Sequence, residues 1–333
     1  MTAAAPLEVQ GLTKHFAVGT TFTRSRVHAV DDVSFELRPG TITALVGESG
    51  SGKSTVARLL ARLHDPTGGA VLFEGSDVAR VRRRRDVLRY RSQVQLIFQD
   101  PFDSLNPVKT VRHHIARPLR IHGIVPRHEV DERVQELLRA VGLVPPHEIA
   151  AKYPHELSGG QRQRVALARV LAVEPKVVLA DEPTSMLDVS IRIGILNLMM
   201  RLKEEHGIAF LFVTHDLASA RYVADDLLVM YAGQIVERGP VEEVLESPLH
   251  PYTRLLLAAV PDPAKRLHAD RIQERKGLAA AAVDPPEGCR FVSRCPLAID
   301  VCSRVTPPLV EARPHQSARC HVTAPSNLTE RTT

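Results

Sequence analysis

Nine residues at positions 47 to 55, GESGSGKST, have the composition and spacing of a loop that binds phosphate. They fit the pattern G-x-x-x-x-G-K-[ST], in which glycines permit a tight turn and backbone N–H groups point at phosphate oxygens. The Lys53 ammonium is predicted to reach the β- and γ-phosphates, and the Ser54 hydroxyl to ligate magnesium. The predicted nucleotide contacts are Gly47, Glu48, Ser49, Gly50, Ser51, Gly52, Lys53, Ser54 and Thr55.

Two consecutive carboxylates end the apolar stretch KVVLADEP at 176–183. Asp181 is placed to hold magnesium through water, and Glu182 stands where a base could polarise the attacking water. The alternative, a solvated acidic pair at the end of a strand, is disfavoured once a phosphate loop is present in the chain. The two stretches together predict hydrolysis of a nucleoside triphosphate.

Four cysteines are crowded near the end of the chain, with the spacing C-x5-C-x6-C-x17-C: Cys289, Cys295, Cys302 and Cys320. No signal peptide is recognisable at the N-terminus, so we expect a reducing compartment, which disfavours structural disulfides. A metal site is therefore favoured. The C-x2-C element common in zinc sites is absent, whereas an iron–sulfur cluster bound by four thiolates has a negative charge that nearby arginines could offset. Those arginines are Arg290, Arg294, Arg304 and Arg319.

The order of apolar segments predicts an α/β fold around these residues. TITALVG (41–47), SQVQLIF (92–98), KVVLAD (176–181) and IAFLFVTH (208–215) are apolar on both faces, as in the buried strands of a parallel sheet. The segments at 7–16 and 28–40 alternate apolar and polar residues and predict antiparallel strands, and 128–143 has apolar residues at helical spacing. We therefore expect a helical insertion within an α/β core.

Composition excludes some classes of protein. The 333 residues are 44% hydrophobic, and the longest apolar runs are short enough for strands and too short to span a bilayer. The net charge is +5, and basic residues are mostly interleaved with acidic ones, except in VRRRRDVLRYR at 81–91. We interpret this run as a solvated surface or one that lies near phosphate, rather than as a dedicated nucleic-acid site.

The stretch LSGGQRQRVALARVLA at 157–172 makes a resemblance specific, because LSGGQ matches the signature motif of ATP-binding-cassette (ABC) ATPases at every position. Other motifs occur in that family's order over about residues 7–262. They comprise Phe16 as the aromatic that would stack on adenine, Gln99 at the end of a strand, Asp188 in SMLD and His215 in VTHD. Met186 departs from the small residue that is usual in the SMLD loop, which bears on dimer packing.

The resemblance implies a P-loop NTPase core, of the RecA type, with an antiparallel β subdomain and a helical insertion. It also implies a head-to-tail dimer, identical or mixed, that holds two ATP molecules. The phosphate loop of one chain would face the signature of the other, through Ser158, Gly159, Gly160 and Gln161. Glu182 and His215 would be catalytic, and magnesium would be held by Ser54, Gln99 and Asp181. Asp188 would belong to the D-loop.

Three further stretches, QDPFDSLNP (99–107), SPLHPYTRLLLAAVP (247–261) and the cysteine segment, resemble the ATPase subunits of dipeptide, oligopeptide and nickel importers. Such a subunit would bind two membrane permeases at the cytoplasmic face of the membrane, as a peripheral protein. An extracytoplasmic binding protein would deliver the solute. Alternatives are an importer of nickel or a metal chelate, an exporter cassette, or a soluble chromosome or DNA-repair ATPase, although the chain lacks the long coiled coil or second cassette of that last class.

The expected organisation is a cassette at 1–262, with its helical subdomain at about 100–168, followed by an extension at 263–333. Because some peptide-importer ATPases carry a [4Fe–4S] cluster in this region, the resemblance favours a cluster over zinc or reduced structural cysteines. The separation in sequence between the cysteines and the nucleotide motifs favours a structural role for the metal. We therefore expect ATP binding to be independent of the extension.

Overall fold

The structure is a computed structural model, and it describes residues 5–18, 25–100, 104–259, 283–285 and 287–323. The described residues form two sheets, one of eight strands and one of four, with helices packed around the larger. None of their helices is both long enough and apolar enough to cross a membrane. The boundary predicted at 262/263 falls outside the described residues and stays a prediction.

The larger sheet has a parallel centre made of strands that are almost wholly buried. These strands are β3 (Ile42–Val46), β6 (Val94–Ile97), β7 (Val177–Asp181), β8 (Ala209–Thr214) and β9 (Asp226–Tyr231), in the spatial order β9-β3-β8-β7-β6. The four strands predicted from apolar runs are confirmed. Because carboxyl ends of parallel strands meet at one edge, the loops after β3, β6, β7 and β8 meet there as well.

The smaller sheet is antiparallel and comprises β1 (Leu7–Val18), β2 (Ser25–Leu37), β4 (Gly68–Phe73) and β5 (Ser76–Asp77). The order is β2-β1-β4-β5. The start of β1 and the end of β2 alternate buried with more exposed residues, so one face of the sheet packs on the core. The predicted antiparallel subdomain is confirmed.

Helices flank the sheet and fill the insertion between β6 and β7. The first two are α1 (Lys53–Leu60) and α2 (Arg84–Gln93), and the insertion contains α3 (Val111–His122), α4 (Val130–Ala140) and α5 (Pro146–Ala151). The chain continues with α6 (Gly159–Leu171), α7 (Val189–His206), α8 (Leu217–Val223), α9 (Val241–Glu246) and α10 (Pro251–Ala258). Residues 101–103 of the predicted helical subdomain lie outside the description.

The C-terminal extension joins the core sheet directly. β10 (Gln234–Pro240) pairs antiparallel with β9, and β12 (Gln316–Ala318) pairs antiparallel with β10. β11 (Val310–Arg313) then forms the edge of the sheet beyond β12. The cysteine segment contains two short 3₁₀ helices, Val292–Arg294 and Asp300–Ser303. The extension is therefore continuous with the cassette through hydrogen-bonded strands.

Candidate functional site

The phosphate loop connects β3 to the start of α1. Gly52 precedes α1 with φ of 106°, and a Cβ at this position would lie 2.0 Å from the Ala29 carbonyl oxygen. Only glycine fits both the backbone angle and this contact. The loop is thereby held close to β2, and the free N–H groups at the start of α1 face the same space as the loop.

Lys53 is buried inside the loop that it ends. Its Nζ donates to the Gly47 carbonyl at 2.8 Å and to the Glu48 carbonyl at 2.9 Å, and it lies 3.4 Å from Ser51 Oγ. Burial lowers the pKa of the Lys53 ammonium from its usual value. A bound phosphate group would be a negatively charged partner for this buried ammonium group and would stabilise its charged form.

A pair of oxygens suited to magnesium lies next to the loop. Ser54 Oγ donates to Asp181 Oδ1 at 2.9 Å, which joins the first turn of α1 to the end of β7. Asp181 is buried, and this desolvation raises the pKa of its carboxyl group. Hydroxyl and carboxylate oxygens are hard ligands of the kind that magnesium prefers, and a bound cation would stabilise the ionised carboxylate.

Glu182 brings together the two other residues predicted to act beside the γ-phosphate. Its Oε2 accepts from Gln99 Nε2 at 3.0 Å, and its Oε1 lies 3.1 Å from His215 Nδ1. Gln99 follows β6 and His215 follows β8, so three adjacent strands each contribute one side chain at their carboxyl ends. The arrangement can hold a water molecule and polarise it.

Most of the loop residues, together with Gln99, Glu182 and His215, line one cavity of about 620 Å³. Its lining comprises Val27, Ala29, Gly47, Glu48, Ser49, Gly50, Gly52, Lys53, Ser54, Thr55, Gln99, Glu182, His215 and Leu256. Phe16 is not part of that lining. It lies on β1 opposite Val27, and its ring packs edge-to-face on His64 at 5.8 Å. Stacking of Phe16 on adenine therefore stays a prediction.

The signature residues lie at the start of α6, apart from the residues that line this cavity. Ser158 Oγ accepts from the Gln161 N–H at 3.3 Å, and Gln161 Oε1 accepts from the Ser158 N–H at 3.0 Å. This reciprocal pair is a capping box. Gly160 packs so tightly on α7 that a Cβ would lie 2.5 Å from Ile191 Cγ2. Within one chain, the two predicted phosphate-binding helix starts therefore form separate sites.

The SMLD segment, which the resemblance predicts to be the D-loop, is also not part of the cavity lining. Asp188 immediately precedes α7 and is exposed, and the Met186 side chain is 58% exposed. Both residues are therefore at the surface, where the resemblance implies that this segment contacts a second chain.

The HPYT residues connect the extension to the phosphate loop. Buried Glu237 accepts from the backbone N–H groups of Leu249 and His250, at 2.7 and 2.9 Å, and from Gln316 Nε2 at 2.8 Å. Two residues later, the Tyr252 hydroxyl accepts from the Glu48 N–H at 2.9 Å. The start of α10 is thus fixed between β12 and the phosphate loop.

A second contact comes from the cysteine segment itself. Arg294 Nη1 and Nη2 donate to the two carboxylate oxygens of Glu48, each at 3.0 Å. The extension is distant from the nucleotide motifs in the sequence but contacts the phosphate loop in the fold, so the observation that supported independent ATP binding does not extend to three dimensions. Glu48 belongs to the loop motif and Arg294 stands beside a cysteine, but no local pattern links residues 246 positions apart.

Other arginines of the extension also pair with carboxylates of the cassette. Arg290 forms an ion pair with Asp31 and donates to the Ala232 carbonyl, and Arg319 lies 3.3 Å from Asp32. Arg304 has an exposed side chain. Arg290, Arg294 and Arg319 were expected to offset the charge of a cluster. The structure uses them to hold the extension against the cassette.

The four cysteines are free thiols gathered around short turns. The Cys289 N–H donates to the Cys302 carbonyl at 2.7 Å, and Cys302 and Cys320 are buried. Burial raises the pKa of the Cys289 thiol to about 11. Among the described residues, which include all four cysteines, the single group with three possible ligand atoms within 4.8 Å consists of His15, His28 and Asp31.

That histidine and aspartate group is already partnered by a cation. The His15 and His28 rings stack with centroids 3.7 Å apart, and Asp31 pairs with both histidines. The Arg290 guanidinium also binds Asp31, so the carboxylate is neutralised without a metal ion. We assign no metal to these residues.

Comparison with known proteins agrees with this geometry. Residues 30–185 match the family described as "ABC transporter", and residues 236–302 match "Oligopeptide/dipeptide transporter, C-terminal region". The chain is 45% identical to the probable peptide ABC transporter ATP-binding protein y4tS of Sinorhizobium fredii, over 97% of this chain and 91% of the relative. It is 43% identical to the oligopeptide transport ATP-binding protein AppF of Bacillus subtilis, over 97% and 99%.

Solved structures share the fold. The chain resembles cbiO1 of Clostridium perfringens, part of the ABC transporter complex cbiONQ, with a TM-score of 0.64 and 29% identity over 73% of this chain and 91% of that one. A dimeric ATP-binding cassette in a post-hydrolysis state, bound to ADP and Pi, gives 0.62 and 29% over 71% and 98%. The chain therefore belongs to the ABC transporter ATP-binding proteins, as an ATP-hydrolysing cassette that carries the C-terminal region of oligopeptide and dipeptide transporters.

Proposed function

We propose that this chain hydrolyses ATP to drive the import of dipeptides or oligopeptides across a membrane. The observation that carries the proposal is the combination, in one chain, of a complete cassette with the HPYT helix and cysteine extension. The relatives that share this whole length are described as peptide or oligopeptide transport ATP-binding proteins. Nickel or a metal chelate is the alternative solute.

The polar residues in and beside the cavity have proposed roles. The loop N–H groups and Lys53 bind the phosphates, and Ser54, Gln99 and Asp181 hold magnesium directly or through water. Glu182 accepts a proton from the attacking water or orients it, while His215 contacts the γ-phosphate. The hydrogen bonds of Gln99 and His215 to Glu182 support this assignment, because they fix the carboxylate at the edge of the sheet.

The signature acts on the ATP of a second cassette, identical or homologous. Its separation from the cavity within one chain supports this arrangement, and one similar solved cassette is dimeric. ATP would then lie between the phosphate loop of one chain and Ser158 to Gln161 of the other. The remaining partners are two transmembrane permeases and an extracytoplasmic binding protein, and the chain would work at the cytoplasmic face of the membrane.

The four cysteines are proposed to hold a [4Fe–4S] cluster, for which the donor set is suitable. A tetrahedral zinc site with Zn–S bonds of ~2.3 Å would bring its sulfurs within ~3.8 Å of one another. The thiols are not grouped that closely among the described residues, which include all four. A cluster has several atoms between its ligands and accommodates wider spacing. When bound, it would supply cross-links between four chain positions.

The transport function is tested on the native complex. The tagged full-length chain is purified in detergent, its partners are identified by mass spectrometry, and the complex is reconstituted in vesicles with its binding protein. We expect permease subunits, and ATP-dependent uptake of di- or oligopeptides. Uptake of nickel without peptides would replace peptide by metal as the solute, and retention of DNA in a salt-sensitive manner, without permeases, would contradict the transporter function.

A further inference from the structure

Glu48 is the point where the extension meets the ATP site. Its carbonyl accepts from Lys53 Nζ, its N–H donates to the Tyr252 hydroxyl, and its carboxylate accepts two bonds from Arg294. Every polar group of this one residue is therefore engaged. Two of its three partners, Tyr252 and Arg294, belong to segments that follow β10 in the sequence.

The Arg294 side chain is positioned by packing contacts in addition to its hydrogen bonds with Glu48. Its guanidinium lies 5.8 Å from the ring centroids of both Tyr231 and Phe291, and these rings pack on Tyr252. Arg294 ends a 3₁₀ helix and is followed directly by Cys295. The side chain is 16% exposed, so the ion pair is shielded from solvent. A bidentate arginine in such a setting fixes orientation as well as charge.

The sign of the charges gives this contact a consequence for nucleotide binding. Glu48 lines the same cavity as Lys53 and Ser54. An unpaired carboxylate in that position would repel the phosphates of ATP, and at an effective dielectric constant near 20 such repulsion is several-fold stronger than in bulk water. Pairing with Arg294 removes this repulsion while it holds the loop against the aromatic cluster.

We propose that Arg294 is a positioning residue for the phosphate loop: it neutralises and orients Glu48, so that affinity for MgATP depends on the cysteine extension. The inference deepens the nucleotide site proposed above and rests on it. Arg294 itself does not contact the reacting atoms. It acts through Glu48, and Tyr252 holds the adjacent backbone.

The test measures the Kd for MgATP of the full-length chain, under anaerobic conditions, in matched variants. Arg294→Ala leaves Glu48 unpaired, and we expect it to weaken binding ~10-fold, which corresponds to ~1.4 kcal/mol, because charge-assisted hydrogen bonds to the carboxylate are lost. Arg294→Lys keeps the charge without the fork and should lose only ~3-fold. Arg304→Ala, an exposed arginine of the same extension, serves as the control and should stay within ~2-fold.

The double variant separates charge pairing from a general structural role. In Glu48→Gln/Arg294→Ala the repelling carboxylate is gone, and the Kd should return to within ~3-fold of that of Glu48→Gln alone, as expected for coupled residues. Thermal unfolding of each variant checks that it is folded. A wild-type chain that binds MgATP, with Arg294→Ala equal to it, would overturn the inference, and so would a double variant as weak as Arg294→Ala. No MgATP binding by the wild-type chain would overturn the nucleotide site itself.

Discussion

The starts of α1 and α6 are both suited to bind phosphate, yet the chain supports them in opposite ways. The loop before α1 is braced from outside, by Tyr252 and Arg294, and from inside by Lys53. The start of α6 is stabilised by its own capping box between Ser158 and Gln161. The first is a cavity held by contacts from distant parts of the chain, whereas the second is a helix start stabilised locally, which we propose acts on the ATP of a second cassette.

The largest expected effect is on ATP hydrolysis in the cavity beside the phosphate loop. Glu182→Gln should hydrolyse ATP at least ~100-fold more slowly in the assembled complex, because it removes the base or water-orienting charge, while the Kd for MgATP stays close to wild type. Steady-state ATPase and equilibrium binding provide the two measurements. Glu204→Gln, on the exposed surface of α7, is the control. Turnover near the wild-type rate would reject the role of Glu182.

Loss of the Lys53 side chain should weaken the binding of MgATP itself. Lys53→Ala is expected to raise the Kd for MgATP ~30-fold, since a charge-assisted bond to phosphate is lost. Isothermal titration of the full-length chain measures this, with Lys109→Ala as an exposed lysine control. An unchanged Kd would show that the loop N–H groups alone determine affinity, and the contrast between the two helix starts would be smaller than described.

The contact of Arg294 with the phosphate loop should depend on the cysteines. Anaerobically purified wild-type protein is expected to be brown with about four irons per chain, and Cys302→Ser should lose the cluster because a hydroxyl is a poor ligand for iron. Without the cluster we expect the segment that carries Arg294 and Phe291 to lose its fixed position, and the Kd for MgATP to rise by up to ~10-fold.

Ser293→Ala, an exposed serine in the same segment, is the matched control for the cysteine variant. Iron content and the Kd are measured on the same samples. Stoichiometric zinc without iron would replace the cluster by a zinc site, and a metal-free extension that stays folded would exclude both. Loss of the metal with no change in the Kd for MgATP would show that the phosphate loop does not depend on the cysteines.

The smallest effect is expected on the signature side. Ser158→Ala should leave the Kd of an isolated chain unchanged but lower the ATPase of the dimer ~5-fold, because one neutral hydrogen bond across the interface is lost. Thr110→Ala removes a comparable helix cap at α3, where Thr110 Oγ1 accepts from the His113 N–H, and controls for capping alone. Equal losses in the two variants would mean that Ser158 serves only its helix.

Sequence alone was sufficient wherever the chemistry is local. The phosphate loop, the carboxylates at the end of β7 and the central strands depend on short patterns, and the structure places Ser54 beside Asp181 and Gln99 beside Glu182 as the strand order requires. The brace around Glu48 could not be predicted in this way. Its partners come from two distant segments, and their meeting depends on β10 and β12 pairing in the core sheet.

The same strand order determines when the sheet can be completed during synthesis. β10 has its outer edge covered by β12, whose last residue is Ala318. Until that residue has left the ribosome, a nascent chain with every ATP motif already made still has an open strand edge, which is a site for pairing with other chains. A chain cut before Val310 keeps that edge open, and we expect it to aggregate more readily than the full-length chain, which light scattering of the two would measure.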